Sequence, residues 1–275
     1  MVKFRFHILL FFLLVALGFI AYGNSLNGEF IWDDDILIED NILIRDISHI
    51  PDIFTKINIS ASTGKTFHFY RPLQILTYMF DYHIWKFNPL GYHLTNISLH
   101  ILTALSLYLF VLILLKDKAV SLTASILFLI HPVHTEAVAY IAGRADPLSA
   151  LFLSLCLGMY LKYFETNKLS FFVISLFSYA LALISRENTI VIPFLILVYH
   201  FCFRKKINWL RFGFYAGISA AYIILRMTRL SHLLAASYGS GATTVIERIP
   251  RFLCCNHKLR QASSGACQFT YGIRR

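Results

Sequence analysis

Seven apolar runs, separated by short polar turns, set the pattern of this chain. A hydrocarbon core of about 30 Å takes about 20 helical residues to cross, so most of the runs are long enough to span a membrane. The run 119–131 is short, and its helix is expected to continue past His131 at the membrane surface. The pattern predicts an all-α, multi-pass membrane protein with about seven transmembrane helices. The runs lie near residues 6–22, 92–115, 119–131, 147–164, 169–185, 188–203 and 208–228.

The composition agrees with a membrane location. Hydrophobic residues make up 57% and charged residues 15% of the 275 positions, whereas soluble domains carry about 25% charged residues. The composition therefore excludes a soluble protein. The formal net charge of +10 is explained by the excess of Lys and Arg that membrane proteins carry in cytoplasmic segments, and no nucleic-acid partner is expected.

The basic residues predict the orientation of the helices. Lys and Arg concentrate on the cytoplasmic side of membrane proteins, and here nine of them fall on one side of the spans while Arg144 and Arg186 alone fall in the short turns of the other side. The N-terminus is therefore predicted to be cytoplasmic, with residues 23–91 forming a long first extracytoplasmic loop. Because many spans follow it, the first run is interpreted as an uncleaved anchor rather than a signal peptide. The nine are Lys3, Arg5, Lys116, Lys118, Lys162, Lys168, Arg204, Lys205 and Lys206.

The strongest local signal in the long loop is the run Trp32-Asp33-Asp34-Asp35. A pair of carboxylates can deprotonate a hydroxyl group, hold a divalent metal ion or cap a helix. General-base work needs a carboxylate close to the proton that it removes, with its pKa adjusted by burial and neighbouring charges. The alternative is an acidic surface turn whose aspartates cap the next helix.

Two further candidates follow along the chain. Arg71, in "FHFYRPLQIL", suits a phosphate because its planar guanidinium makes paired hydrogen bonds, although an arginine that extends to lipid headgroups is the alternative. His93, Asn96 and His100, in "GYHLTNISLH", share one face of a predicted helix. Hydrogen bonding between helices is the alternative to catalysis for this face.

The densest polar stretch outside the first loop is "HPVHTEAVAYIAGRAD", which places Glu136, Arg144 and Asp146 at one membrane boundary. It lacks the HExxH spacing that aligns zinc ligands on a helix. The stretch "SRENTIVIP" adds Arg186 and Glu187, for which a structural ion pair is the alternative. The predicted orientation puts all of these clusters on the extracytoplasmic side, which favours a functional site there.

These stretches, in order, resemble the membrane region of the transmembrane and tetratricopeptide-repeat O-mannosyltransferases and their bacterial relatives, which belong to the C-type glycosyltransferase (GT-C) superfamily. The resemblance implies a GT-C-like helix bundle with an outward-facing cavity and a catalytic aspartate in the first outer loop. Asp34 would be the base and Asp33 would orient it, while the additional Asp35 leaves open which of the three acts. The donor phosphate and sugar would be bound by Arg71, His93, Glu136, Arg144, Asp146 and Arg186.

The resemblance also implies the reaction. A sugar, mannose by analogy, would pass from a polyprenyl-phosphate carrier in the membrane lipid to a hydroxyl group of a protein or glycan acceptor. No cofactor is firmly predicted, and a divalent metal ion stays open because members of the superfamily differ on this point. The residues alone leave two other classes open, a polytopic transporter and a non-catalytic membrane scaffold. A bacterial inner membrane is the first expectation for the location, and the endoplasmic reticulum membrane is the second.

The resemblance stops near Leu253. Residues 1–253 are expected to form the GT-C-like membrane domain, and residues 254–275 turn polar where members of the family continue with another span. A shift of one base in the back-translated tail can restore such a span. Residues 254–275 are therefore expected to be an out-of-frame tail without a fold.

Overall fold

The computed structural model of the chain describes residues 2–55, 59–60, 66–67 and 70–237, with side chains described over 7–55 and 70–227. The predicted out-of-frame tail lies outside these residues. The chain divides into two compact units, Met1–Met227 and Thr228–Arg275, and everything below concerns the first. The helices are α1 Val2–Tyr22, α2 Ile50–Thr55, α3 Pro72–Trp85, α4 Pro89–Leu115, α5 Lys118–Ile130, α6 Thr135–Ala139, α7 Ala145–Thr166, α8 Leu169–Ser185, α9 Ile192–Cys202 and α10 Trp209–Ser237.

Short elements connect these helices. Strands β1 (Ile59–Ser60) and β2 (Thr66–Phe67) form one antiparallel pair, in which Ile59 faces Phe67. The other short elements are helical turns. They lie at Gly23–Asn27, Asp35–Glu39, Ile42–Ile44, Ile47–His49, Pro132–His134, Ile141–Arg144 and Glu187–Val191.

Local chemistry defines several helix ends. The Asn88 side chain accepts a hydrogen bond from the Leu90 amide at the start of α4, and Asp117 accepts two from the first turn of α5. These side chains satisfy amides that have no partner within the helix. At the other ends, Lys116 and Asn167 adopt the left-handed conformation, with φ values of 59° and 56°, and terminate α4 and α7.

Helix α4 lies at the centre of the membrane region and packs against α1, α5 and α7. Gly18 of α1 allows this close approach, because a Cβ atom there would lie 2.6 Å from Ile101 Cγ1. Serines connect the helices as well: Ser154 donates to Ser106 Oγ at 2.7 Å. Small residues and interhelical hydrogen bonds of this kind are typical of helix packing in membranes. The buried apolar core here comprises Leu10, Leu14, Tyr22, Ile97, Ile101, Ala104, Tyr108, Leu129 and Val138.

Within the described residues, three helices are long and apolar enough to cross a membrane: His7–Asn27, Pro89–Leu115 and Ile141–Thr166. Helix α5 and the segment Pro132–Ala139 would add a fourth span as a pair bent by 48°. The bend shows that the helix predicted to continue past His131 breaks there. Helix α8 and the apolar helix Glu187–Cys202 are shorter than 18 residues, so the count of seven spans stays a prediction.

The bundle has two chemically different ends. Lys116 and Lys162 both pair with Glu165 where α4 and α7 finish, and we call this the lysine end. Helices α4 and α7 run parallel, because at their other end Arg144, which precedes α7, donates to the carbonyl of Tyr92 in the first turn of α4. We call that the cavity end.

The described part of the first long loop packs at the cavity end. It contains α2 and α3. Its buried side chains pack against the start of α4 and the turn before α7. This second core comprises Ile38, Ile44, Ile53, Ile75, Tyr78, Met79, Tyr92 and Ile141.

Candidate functional site

A cavity of about 840 Å³ opens at the cavity end of the bundle. Five of the eight sequence-predicted site residues line it, although they come from four separate segments of the chain. A volume of this size is typical of sites that hold small organic ligands. The five residues are Asp33, Arg71, Glu136, Asp146 and Arg186.

Both cavity arginines are paired with carboxylates. Arg71 donates from Nε to Glu187 Oε2 at 3.3 Å and from Nη2 to Glu187 Oε1 at 3.2 Å, the paired geometry of a guanidinium and a carboxylate. Arg186 forms an ion pair with Asp146. The sequence-based alternative of an ion pair at Arg186 is therefore observed, with Asp146 rather than the neighbouring Glu187 as the partner.

The aspartate run forms a turn held against Tyr140. Trp32 has a φ of 52°, which is uncommon for a bulky residue, and its ring meets the Tyr140 ring edge-on at 5.8 Å. The backbone amide of Asp33 donates to the Tyr140 hydroxyl at 3.1 Å. This turn leaves Asp33 exposed in the wall of the cavity, next to Tyr140.

Asp34 points the other way and is completely buried. Its Oδ2 accepts from the Ile31 amide at 3.1 Å, and its Oδ1 accepts from the Ala142 amide at 2.8 Å. Burial raises the pKa of Asp34 to about 6, although both amide hydrogen bonds favour the charged form. Asp34 therefore joins the first loop to the turn before α7 and does not line the cavity.

The turn before α7 is held by two further side chains and packs closely against α6. Tyr78 donates to the Ile141 carbonyl at 2.9 Å, and Gln74 donates to the Ala142 carbonyl at 2.8 Å. A side chain at Gly143 would place its Cβ atom 2.8 Å from the Glu136 carbonyl oxygen. The turn thus depends on glycine there to pack against α6.

Arg144 is buried in this network rather than placed in the cavity. Its exposed fraction is 0%, and its Nη1 lies 2.5 Å from Asp81 Oδ2. Its Nε donates to Asn96 Oδ1 at 2.6 Å and its Nη2 to the Tyr92 carbonyl at 3.0 Å. The guanidinium also lies over the Tyr78 ring, 4.5 Å from its centre. Arg144 therefore fastens α3 to α4 and α7.

The histidines of α4 differ in position. His93 is buried against Gly28 and does not line the cavity. His100 does line it, with its Nε2 3.1 Å from the Leu129 carbonyl oxygen. His134, whose ring lies 4.4 Å from that of Phe128, lines it as well. His134 was not among the site residues predicted from the sequence. No group of three or more metal-binding side chains occurs in the part of the chain that the structure describes.

Comparisons with known proteins identify relatives that cover up to about two thirds of the chain. It is 32% identical to human protein O-mannosyl-transferase TMTC4 over 219 residues, which cover 70% of this chain and 29% of the relative. It is 31% identical to mouse protein O-mannosyl-transferase TMTC3 over 195 residues, covering 68% and 21%. The chain belongs to the TMTC family. A third TMTC relative, Caenorhabditis elegans protein O-mannosyl-transferase F38B6.6, is 33% identical over 160 residues, covering 56% and 23%.

The chain spans between about a fifth and three tenths of the length of these relatives. No family model and no solved structure matches it. The family assignment therefore rests on the curated relatives and concerns the residues that align with them.

Proposed function

We propose that this chain forms the donor- and acceptor-binding part of a membrane glycosyltransferase. It would transfer mannose from a polyprenyl-phosphate carrier to a hydroxyl group of a protein acceptor. The observation that carries this proposal is the cavity itself, which unites the carboxylate of Asp33 with the guanidinium groups of Arg71 and Arg186. The names of the relatives, protein O-mannosyl-transferases, support the sugar and the acceptor.

We propose Asp33 as the general base, with Asp34 as the residue that positions it. Sequence reasoning favoured the opposite assignment. A general base must come within hydrogen-bond reach of the proton that it removes, and Asp33 lines the cavity. Both oxygens of Asp34 are buried against backbone amides. Asp34 would therefore act through the backbone, by fixing the turn that presents Asp33.

The proposed step is a single displacement. The acceptor hydroxyl oxygen forms a bond to the anomeric carbon of mannose while its proton passes to the Asp33 carboxylate. The bond between the anomeric carbon and the phosphate oxygen breaks, and its electron pair leaves with the polyprenyl phosphate. Fixed positive groups stabilise the negative charge that develops on such a leaving group, and Arg71 and Arg186 would supply them. Glu136 and Asp146 would bind hydroxyl groups of the sugar.

A second cavity supports a lipid-linked donor. It has a volume of about 380 Å³, lies between α4, α7 and α9, and is lined by apolar and aromatic side chains with one cysteine, Cys202. Leu153 of α7 lines both cavities. An isoprenoid chain attached to a phosphate in the polar cavity would find an apolar path along α7 there, where burial of apolar surface favours binding.

Two sequence-predicted donor ligands have a different proposed role. Arg144 and His93 lie outside the cavity lining, so we propose that they maintain the packing of the first loop. We propose that the cavity faces the extracytoplasmic side, because Lys116 and Lys162 lie at the opposite end of the bundle and lysines concentrate in cytoplasmic segments. The relatives named above are animal proteins, which favours the endoplasmic reticulum membrane over the bacterial inner membrane expected first.

The experiment compares two neighbouring aspartates. The full chain is purified into lipid nanodiscs, and binding of polyprenyl-phosphate mannose and its transfer to serine- and threonine-containing peptides are measured for wild type, Asp33→Asn and Asp35→Asn. Asp35 is the matched control, because it is exposed and does not line the cavity. Loss of transfer in Asp33→Asn alone, with donor binding retained, is expected. Equal loss in both variants would reject Asp33 as the base.

A further inference from the structure

The carboxylate of Glu187 lies between two arginines. On one side it holds Arg71 through two hydrogen bonds of 3.3 and 3.2 Å. On the other side its Oε1 lies 3.8 Å from Arg226 Nη2. Arg71 lines the polar cavity, whereas Glu187 and Arg226 do not. Glu187 therefore contacts the cavity residue Arg71 from outside the cavity lining, and Arg226 is close enough to be a second cationic partner.

The Arg71 guanidinium can make the same paired hydrogen bonds to a carboxylate or to a phosphate. A phosphate bound to Arg71 in the presence of Glu187 would bring two anions to one cation, and like charges at close range repel. A sugar phosphodiester and a carboxylate each carry one negative charge, whereas a phosphate monoester such as undecaprenyl phosphate carries about 1.5 to 2 and competes more strongly. If the phosphodiester takes the place of the Glu187 carboxylate on Arg71, the charge next to Arg71 stays the same. This requires that Glu187 finds another cationic partner.

Arg226 can be that partner. Its separation of 3.8 Å from Glu187 is longer than the contacts with Arg71, so a small movement of the carboxylate would strengthen one pair while it weakens the other. The Glu187 and Arg226 side chains are 26% and 32% exposed. They are therefore partly screened by solvent, which keeps the difference between the two pairings small.

We propose that Glu187 is a placeholder for the donor phosphate. It occupies Arg71 in the empty site and transfers to Arg226 when the phosphate of the lipid-linked donor arrives. The proposal rests on the proposed function, since it takes Arg71 as a phosphate ligand. A placeholder of this kind makes the site selective, because only an anion that competes successfully with an internal carboxylate can occupy Arg71.

The test measures binding of undecaprenyl phosphate to the full chain in nanodiscs by native mass spectrometry, with thermal unfolding as the check of folding. Glu187→Gln removes the competitor, and we expect affinity to rise about fivefold to tenfold. Arg226→Gln removes the alternative partner, and we expect affinity to fall by a similar factor. In the double variant, Arg226→Gln should have no effect, because no carboxylate remains to be relocated.

Glu136→Gln is the matched control, since it removes one negative charge from the cavity wall without freeing Arg71. If Glu136→Gln raises the affinity as much as Glu187→Gln does, the increase comes from the loss of any negative charge near the cavity. That result would overturn the proposed exchange of Glu187 between Arg71 and Arg226. An Arg226→Gln effect that persists in the Glu187→Gln background would also overturn it, because Arg226 would then act on the phosphate directly.

Arg71→Gln separates this proposal from the proposed function. If it leaves undecaprenyl phosphate binding unchanged, the donor site is assigned wrongly and both proposals fail. If it weakens binding while Glu187→Gln does not tighten it, only the exchange fails. Inorganic phosphate and phosphatidic acid are measured in parallel. If Glu187 exchanges with phosphate at Arg71, Glu187→Gln should increase the affinity for all three ligands. A preference of the wild type for undecaprenyl phosphate would identify the lipid-linked donor as the source of the phosphate.

Discussion

Replacement of Arg144 by glutamine tests whether this arginine holds the fold or binds the donor. The Arg144 and Asp81 side chains are 0% and 7% exposed, with 2.5 Å between Nη1 and Oδ2. Burial raises the pKa of Asp81, and the charge of Arg144 opposes that shift. Removing one partner of a buried ion pair leaves the other charge uncompensated and destabilises a protein by about 3–5 kcal/mol. We expect Arg144→Gln to lower the unfolding temperature by about 10 °C, at about 2–4 °C per kcal/mol for a domain of this size.

The assay is thermal unfolding of the chain in nanodiscs, with Arg186→Gln as the matched control. Arg186 also pairs with an aspartate, but the two side chains are 27% and 46% exposed, and exposed pairs contribute about 0–1 kcal/mol. The double variant Arg144→Gln/Asp81→Asn should recover part of the loss, because it removes the uncompensated charge. An Arg144→Gln protein that unfolds within about 2 °C of wild type, yet binds donor poorly, would refute a structural role and restore Arg144 to the phosphate site.

Two further predictions concern the turn that presents Asp33. Because burial raises the pKa of Asp34 to about 6, the folded state binds a proton more tightly than the unfolded state, and Asp34 loses its stabilising contribution as pH rises from about 4 to 6. We therefore expect the free energy of unfolding of wild type, relative to that of Asp34→Asn, to fall by about 3 kcal/mol between pH 4 and 7, at about 1.4 kcal/mol per pKa unit. Urea unfolding at both pH values measures this difference. A difference that does not change with pH would contradict burial of this carboxylate. Gly143→Ala should destabilise the chain by about 1–3 kcal/mol, because the alanine Cβ atom would lie 2.8 Å from the Glu136 carbonyl oxygen. A variant as stable as wild type in thermal unfolding would show that the turn can move away from α6.

The apolar runs were enough to place most of the long helices. The run 169–185 coincides with α8, and the runs 92–115 and 147–164 lie within α4 and α7. The spans are less predictable, since Pro132 ends the helical hydrogen bonding after α5 and produces a bend of 48°. The sequence analysis expected the helix to continue past His131 because the run 119–131 alone is too short to cross a membrane.

The candidate site was predictable as a set of segments but not as individual roles. The predicted orientation brings Asp33, Glu136 and Asp146 to one end of the bundle, where they line one cavity. Adjacent residues in a turn can face opposite directions, however, and only the fold separates exposed Asp33 from buried Asp34. Arg144 illustrates the same limit, because its partner Asp81 belongs to a distant helix.

Tyr140 is a cavity residue that sequence reasoning did not select. Its hydroxyl accepts a hydrogen bond from the Asp33 amide, and burial raises its pKa to about 12, so it remains protonated at neutral pH. It lies within the polar stretch that contains Glu136, but a tyrosine at a membrane boundary is common and gives no signal of its own.

The most direct test of the account is the turnover of Asp33→Asn with polyprenyl-phosphate mannose, measured beside wild type under saturating donor. Wild type is expected to transfer mannose to a peptide hydroxyl. Asp33→Asn is expected to bind the donor and to unfold at the wild-type temperature. Its turnover should be at least about 100-fold slower, which is the scale of one lost general base. Turnover of Asp33→Asn within a few-fold of wild type would contradict the assignment of the cavity as the site of transfer.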